Sequence, residues 1–265
     1  MKLKILFILF SLLILPAFTL AAELERVIEK SFDMSEAPRF SLENYKGKIK
    51  IRTHTQPTIT VNARVYLAIT DDRLSEEEKQ QMLDATEVDF RHSDDRLQVS
   101  SNFEPKSFKR GIFGIGIFTP AYPTVDFDVV IPEDASITID SYKGEFDVQA
   151  GSNYVQIESY KGTGIITGIK NDFDIDTYKG EFDIEITQLG DLDIETYKGR
   201  LNFTVDASDD FHLSASTYKG EIDISGSDLD KTSLGRRSNF DIKRGDGNQD
   251  IDINTYKGEI TLRFE

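Results

Sequence analysis

The tripeptide Tyr-Lys-Gly occurs seven times, starting at Tyr45, Tyr142, Tyr160, Tyr178, Tyr197, Tyr218 and Tyr256. From Tyr142 to Tyr218 the spacings are 18, 18, 19 and 21 residues, and Tyr256 follows after 38, about two periods. A recurrence at this interval restricts the chain to architectures built from one supersecondary unit that buries its apolar face against copies of itself. Inside the long gap, "RRSNFDI" lines up with "YKGEFDI" and places Arg236 at the tyrosine position. The repeat region is therefore expected to hold about six layers.

The pattern around the tripeptide has a period of two. Apolar residues stand four and six positions after the tyrosine (Phe146 and Val148, Phe182 and Ile184, Leu201 and Phe203) and five and three before it (Ile137 and Ile139, Phe173 and Ile175, Leu192 and Ile194). Polar residues fill the positions between, as in strands with one buried face. Each layer reads as strand, Tyr-Lys-Gly turn, strand, variable turn. All length changes fall in the variable turns, so the Tyr-Lys-Gly bend belongs to the frame, with its glycine expected at positive φ. Gly164 in place of Phe and Ala215 in place of Ile are expected thin spots in the core.

An antiparallel meander and a β-solenoid both satisfy this pattern. The solenoid is preferred because stacking whole layers explains why like residues recur at like positions. The expected fold is all-β: layers of about 18–21 residues with two strands each, an N-terminal β region and one short helix. Stacked layers would set the tyrosine rings of Tyr142, Tyr160, Tyr178, Tyr197, Tyr218 and Tyr256 at the interstrand distance.

Residues 1–21 have a basic start, an apolar run over 5–15 and small residues at 19–21, the pattern of a secretory signal peptide. Residues 22–136 then form the N-terminal β region, continuous with the repeats of residues 137–265. That region includes "FSLENYKGKIKI", a first copy of the repeat grammar, and a helix over about 75–85. It also holds an apolar, Gly-rich segment, "FKRGIFGIGIFTPAYP", over 108–123. Without residues 1–21 the chain has 29 basic and 47 acidic residues, a net charge of −18, which disfavours nucleic acid and anionic lipid as partners. There is no Cys, so neither a disulfide framework nor a thioether lipid anchor is available.

The order of these segments, with "SLENYKGKIKI" first, a polar insertion, and "VDFDVVIPEDASITIDSYKGEFDV" running into the repeats, resembles the bacterial putative-adhesin domain of unknown function. The resemblance covers about residues 31–265. It implies a β-solenoid and a cell-envelope setting, and it brings no catalytic residues.

No catalytic, cofactor or metal site stands out. His54, His92 and His212 are far apart in sequence, and no nucleophile elbow, P-loop or zinc helix motif occurs. Two columns of aspartates, Asp147, Asp183, Asp223 and Asp241 in one and Asp174, Asp193 and Asp252 in the other, are either a solvated acidic face or a Ca²⁺ ladder. The tyrosines are either a structural ladder or a stacking surface for sugars. The segment 108–123 is either an end cap or an interaction loop, with Phe113, Ile115, Phe118 and Tyr122 as its anchors. The expected protein is non-enzymatic and exported, to the periplasm or the cell surface. It is expected to have no cofactor and no membrane span after processing, and to be an adhesin-like or scaffold protein whose partner is an envelope glycan or protein. A carbohydrate-active β-helix enzyme and an end-to-end self-assembling structural protein are the alternatives.

Overall fold

The computed structural model describes residues 24–67, 75–103, 122–206, 210–226 and 229–265. Its N-terminal part holds β1 (Glu25–Asp33), β2 (Arg39–His54), β3 (Thr58–Tyr66), helix α1 (Glu76–Asp84), β4 (Thr86–Ser93), β5 (Arg96–Phe103) and β6 (Thr124–Pro132). Four long strands follow: β7 (Ser136–Gln149), β8 (Val155–Ile169), β9 (Phe173–Ile186) and β10 (Leu192–Val205). Shorter ones complete the chain: β11 (Phe211–Thr217), β12 (Glu221–Gly226), β13 (Leu229–Leu234), β14 (Ser238–Arg244), β15 (Gln249–Thr255) and β16 (Glu259–Phe264). Among the described residues all sixteen strands belong to one open sheet.

The Tyr-Lys-Gly of β7 does not interrupt the strand. Ile137, Ile139 and Ser141 point inward, Tyr142 and Lys143 are both exposed, and Phe146 and Val148 point inward again. Two outward residues in succession shift the inward phase by one, so the strand bends and its two halves turn their apolar sides toward each other. Rings from opposite halves meet accordingly: Phe173 and Phe203 at 6.5 Å, Phe211 and Phe264 at 4.9 Å. The parallel ladder continues through the bend, from Ser141↔Ser159 to Lys143↔Lys161 and Gly144↔Gly162, with only the tyrosine out of pairing. In β2 and β7–β10 the expected turn is thus a corner within a strand. Backbone groups there find partners in the next layer, which removes the need for a hydrogen-bonded turn. At Tyr218 and Tyr256 the strands do break, and Thr217 and Thr255 Oγ1 accept from the amides of Gly220 (2.9 Å) and Gly258 (2.7 Å).

The corner glycine answers to crowding more than to handedness. Gly180 has no positive φ, but a Cβ there would lie 2.7 Å from both the Phe182 ring and Thr177 Oγ1. This corrects the expectation of a left-handed bend, which holds only for Gly47 and Gly199 among the corner glycines. Variable turns can be as enclosed: a Cβ at Gly190 would lie 2.6 Å from the backbone of Asn171 and Asp172.

The strands β2, β7, β8, β9 and β10 stack parallel and in register, repeat on repeat. The next layer in space is not the next in sequence. Strands β15 and β16 pair with the two halves of β10, and β11 and β12 pair with their far edges. The segment aligned with a sixth repeat is not a parallel layer either. Its β14 runs antiparallel to β11 and β13 antiparallel to β12, with Arg236 in the turn before β14. At the other end, β5 and β6 lie parallel to the first and second halves of β2, and antiparallel β4, β3 and β1 follow. Both ends of the parallel stack are finished by antiparallel strands, which shields its edges.

Helix α1 begins at a capping box between Ser75 and Glu78, matching the run of acids in its first turn, and buries Met82 and Leu83. The gap at Gly164 is closed from both sides, because Phe146 and Phe182 of the flanking layers meet over it at 5.3 Å, edge to face. Restoring the repeat's aromatic residue should therefore harm the protein. A Cβ at Gly164 would lie 2.1 Å from the Phe146 carbonyl oxygen, so Gly164→Phe is expected to lower stability by about 1–3 kcal/mol or more, as overpacking does. Phe146→Ala and Phe182→Ala should each cost about 3–5 kcal/mol. Their double variant should lose less than the sum by about 0.5–1.5 kcal/mol, the edge-to-face term. Urea unfolding of the four variants checks this, and an unchanged or raised midpoint for Gly164→Phe contradicts it.

Candidate functional site

In-register stacking puts identical side chains one interstrand distance apart, and the tyrosines meet that spacing as parallel rings. In spatial order Tyr45, Tyr142, Tyr160, Tyr178, Tyr197, Tyr256 and Tyr218 stack at centroid distances of 4.7–5.0 Å, with planes within 3–15°. The column is covered at both ends. Tyr122 tilts onto Tyr45 at 4.7 Å, and the Arg237 guanidinium lies 5.2 Å over Tyr218 while donating to its hydroxyl at 3.3 Å. Ring faces are thus occupied by neighbouring rings, and solvent meets edges and hydroxyls. Lysines of the corner hold their ammonium groups 5.4–5.7 Å from these rings, as at Lys161, Lys219 and Lys257.

Two positions before each tyrosine lies a second column, distinct from the two expected aspartate columns. Glu43, Asp140, Glu158, Asp176 and Glu195 are successive cross-strand neighbours. The signal was present in the sequence as an acid two residues ahead of the tyrosine in five copies. Among the described residues none of these five forms an ion pair. On the face beyond the corner several acids are paired: Asp128 with Lys50 (2.7 Å), Asp147 with Arg52 (2.6 Å) and Glu259 with Arg200 (3.0 Å). Burial, then the nearby carboxylates, raise the pKa values of Asp193 and Glu195 above the ordinary carboxylate range. Among the described residues the Asp columns bring no three acidic or histidine side chains together as metal ligands.

Toward the β14 end the acid row changes character. It continues from Asp176 and Glu195 into Asn254, Ser216 and Asn239, one on each successive strand. This row and the rings of Tyr197, Tyr256 and Tyr218 border a groove of about 670 Å³, with Arg237 at its far end. Nothing in the repeat grammar announced it, because Arg237 and Asn239 belong to the segment that departs from the repeat.

Phe113, Ile115 and Phe118 lie outside the described residues. Tyr122 is described, packed against Tyr45 and edge-on to Phe103 at 5.6 Å. The end of β5 and the residue two before β6 therefore lie beside the outer end of the tyrosine column. His54 and His92 contact backbone carbonyls of Thr58 (2.8 Å) and Asp33 (3.1 Å). His212 is placed differently, between Asp241 of β14 at 3.1 Å and Asp250 of β15 at 3.3 Å.

No protein-family profile matches the chain, and no curated protein does. Two solved structures align over most of it. A putative cell adhesion protein from Clostridium sporogenes ATCC 15579 is 10% identical with a TM-score of 0.44, over 91% of this chain and 100% of that one. A putative adhesin from Bacteroides fragilis NCTC 9343 is 10% identical with a TM-score of 0.38, over 91% and 97%.

The His212 geometry gives a pH dependence with a definite sign. Hydrogen bonds donated by the ring to the carboxylates of Asp241 and Asp250 raise its pKa above that of an ordinary histidine, and Lys243 is its cross-strand neighbour on β14. A raised folded-state pKa stabilises the fold fully below the unfolded value of about 6.5 and loses that contribution as pH rises through the folded value. The melting temperature of the native protein should thus exceed that of His212→Gln at pH 5.5, with the gap closing by pH 8.5. A gap that stays constant with pH contradicts the clamp.

Proposed function

We propose that this chain is an exported, non-enzymatic β-solenoid of the bacterial envelope, an adhesin-like binding protein that uses the outside of its repeat array. The observation that supports this reading is the corner itself: a rigid column of seven tyrosines flanked by a column of unpaired carboxylates. Together they form a long, regular surface of edges, hydroxyls and charges, well suited to an extended partner and offering no pair of groups singled out for proton transfer. The apolar run of residues 5–15 favours export. No described helix is long and apolar enough to cross a membrane.

Expression of the full chain with a C-terminal tag, followed by cell fractionation and N-terminal sequencing, tests the export half. The expected product starts near Ala22 and appears outside the cytoplasm, associated with envelope material; an unprocessed cytoplasmic product overturns it. Incubation of the purified chain with envelope polysaccharides should release no reducing ends. Turnover abolished by one Asp or Glu substitution would replace this reading with the carbohydrate-active enzyme.

A further inference from the structure

We propose that the groove between the tyrosine column and the row Asp176, Glu195, Asn254, Ser216 and Asn239 binds an oligosaccharide that carries free amino groups. The proposal deepens the adhesin-like reading and rests on it.

The length comes from the strands. The row crosses β9, β10, β15, β11 and β14, four interstrand steps of about 4.8 Å, or roughly 19 Å in all. That is the reach of a short oligomer rather than a single small molecule. The long wall facing the row is formed by the flanks and hydroxyls of Tyr197, Tyr256 and Tyr218, and the Arg237 guanidinium, held on Tyr218, closes the far end.

The hydrogen-bonding inventory points to a polyol. Asn254 Oδ1 accepts from Ser216 Oγ at 2.6 Å, which leaves its Nδ2 without a partner among the described residues. The exposed Asn239 amide has no partner there either. These amides both donate and accept, as sugar hydroxyls do. Asp176 and Glu195, when ionised, can only accept, and among the described residues neither has an ion-pair partner, whereas Asp128, Asp147 and Glu259 beyond the corner each have one. A ligand ammonium at that end supplies the missing charge and offsets the repulsion by Asp193 and Asp176 that, after burial, raises the Glu195 pKa. A uniformly basic peptide fits less well, because the row exchanges its acids for amides and a hydroxyl over the three strands from β15 to β14. A fully N-acetylated sugar supplies hydroxyls but no cation for the carboxylate end.

The probes are the β-1,4-linked glucosamine tetramer, its fully N-acetylated counterpart and tetralysine, titrated calorimetrically into the full chain at low and moderate salt. The glucosamine tetramer should bind, with the acetylated tetramer at least about tenfold weaker, which is one charge-assisted hydrogen bond at about 1.4 kcal/mol per decade. Glu195→Gln and Asn239→Ala should each weaken binding by about tenfold, since one removes the charge and the other the amide. Both side chains are exposed, and unchanged melting curves confirm that the variants fold. Equal binding of the two sugars, tetralysine binding as tight as the glucosamine tetramer, or full affinity in Asn239→Ala each overturns the proposal. So does an absence of binding by all three probes. Export and envelope association of the same variants are read separately. Their loss in the native chain counts against the adhesin-like reading, while retention without sugar binding counts against the groove alone.

Discussion

Everything in this protein follows from holding parallel strands in register through a corner. The ladder fixes neighbouring layers about 4.8 Å apart, and at that spacing every repeated residue becomes a column. For tyrosine this is favourable, since rings 4.7–5.0 Å apart and nearly parallel gain about 0.5–1.5 kcal/mol per pair beyond their burial. For carboxylates it is unfavourable, and the two faces handle that differently. Beyond the corner, Lys50, Arg52 and Arg200 stand in the columns and pair with Asp128, Asp147 and Glu259 of neighbouring strands. Two positions before the tyrosines the acids form no ion pair, and toward β14 the row turns to amides and a hydroxyl. The charge asymmetry between faces is therefore a property of which columns admit basic residues.

The strand phase was legible because it needs only local information. The alternation of Ile137 with Thr138 and of Phe182 with Asp183 places one residue inside and the next outside whatever lies above or below. Helix α1 was legible for the same reason, through Ser75, Glu78 and the acidic first turn. Layer order was not, because a periodic pattern is indifferent to which copy sits on which. β15 satisfies the grammar equally well beside β10 or beyond β11. Its actual place depends on β13 and β14, which run antiparallel although Phe240 and Ile242 of β14 keep the apolar alternation of a repeat.

The corner glycines and the groove were hidden by partners far away in sequence. Glycine at 180 reads as a turn residue until the Phe182 ring and Thr177 hydroxyl are seen crowding it. Gly164 reads as a defect until Phe146 and Phe182 are found meeting across it. The groove needs Arg237 and Asn239, residues of the closing hairpin, set beside tyrosines of the array. Binding surfaces on repeat proteins can arise in this way where a column is interrupted, since interruption alone makes one stretch of an otherwise uniform wall distinguishable from the rest.

The displaced layer has a consequence for how the chain is made. Residues 211–244 emerge during synthesis before residues 249–264, yet they dock on the far side of them. The exposed edge of β10 must wait for its true neighbour while a look-alike with the same pattern is already available. Premature pairing of β11 with β10 would satisfy the local grammar and leave the late strands outside, a kinetic trap of native-like energy. Once the late strands are in place, the same arrangement acts as a bolt. The last strands, β15 and β16, cannot leave first, because β10 holds them on one side and β11 and β12 on the other.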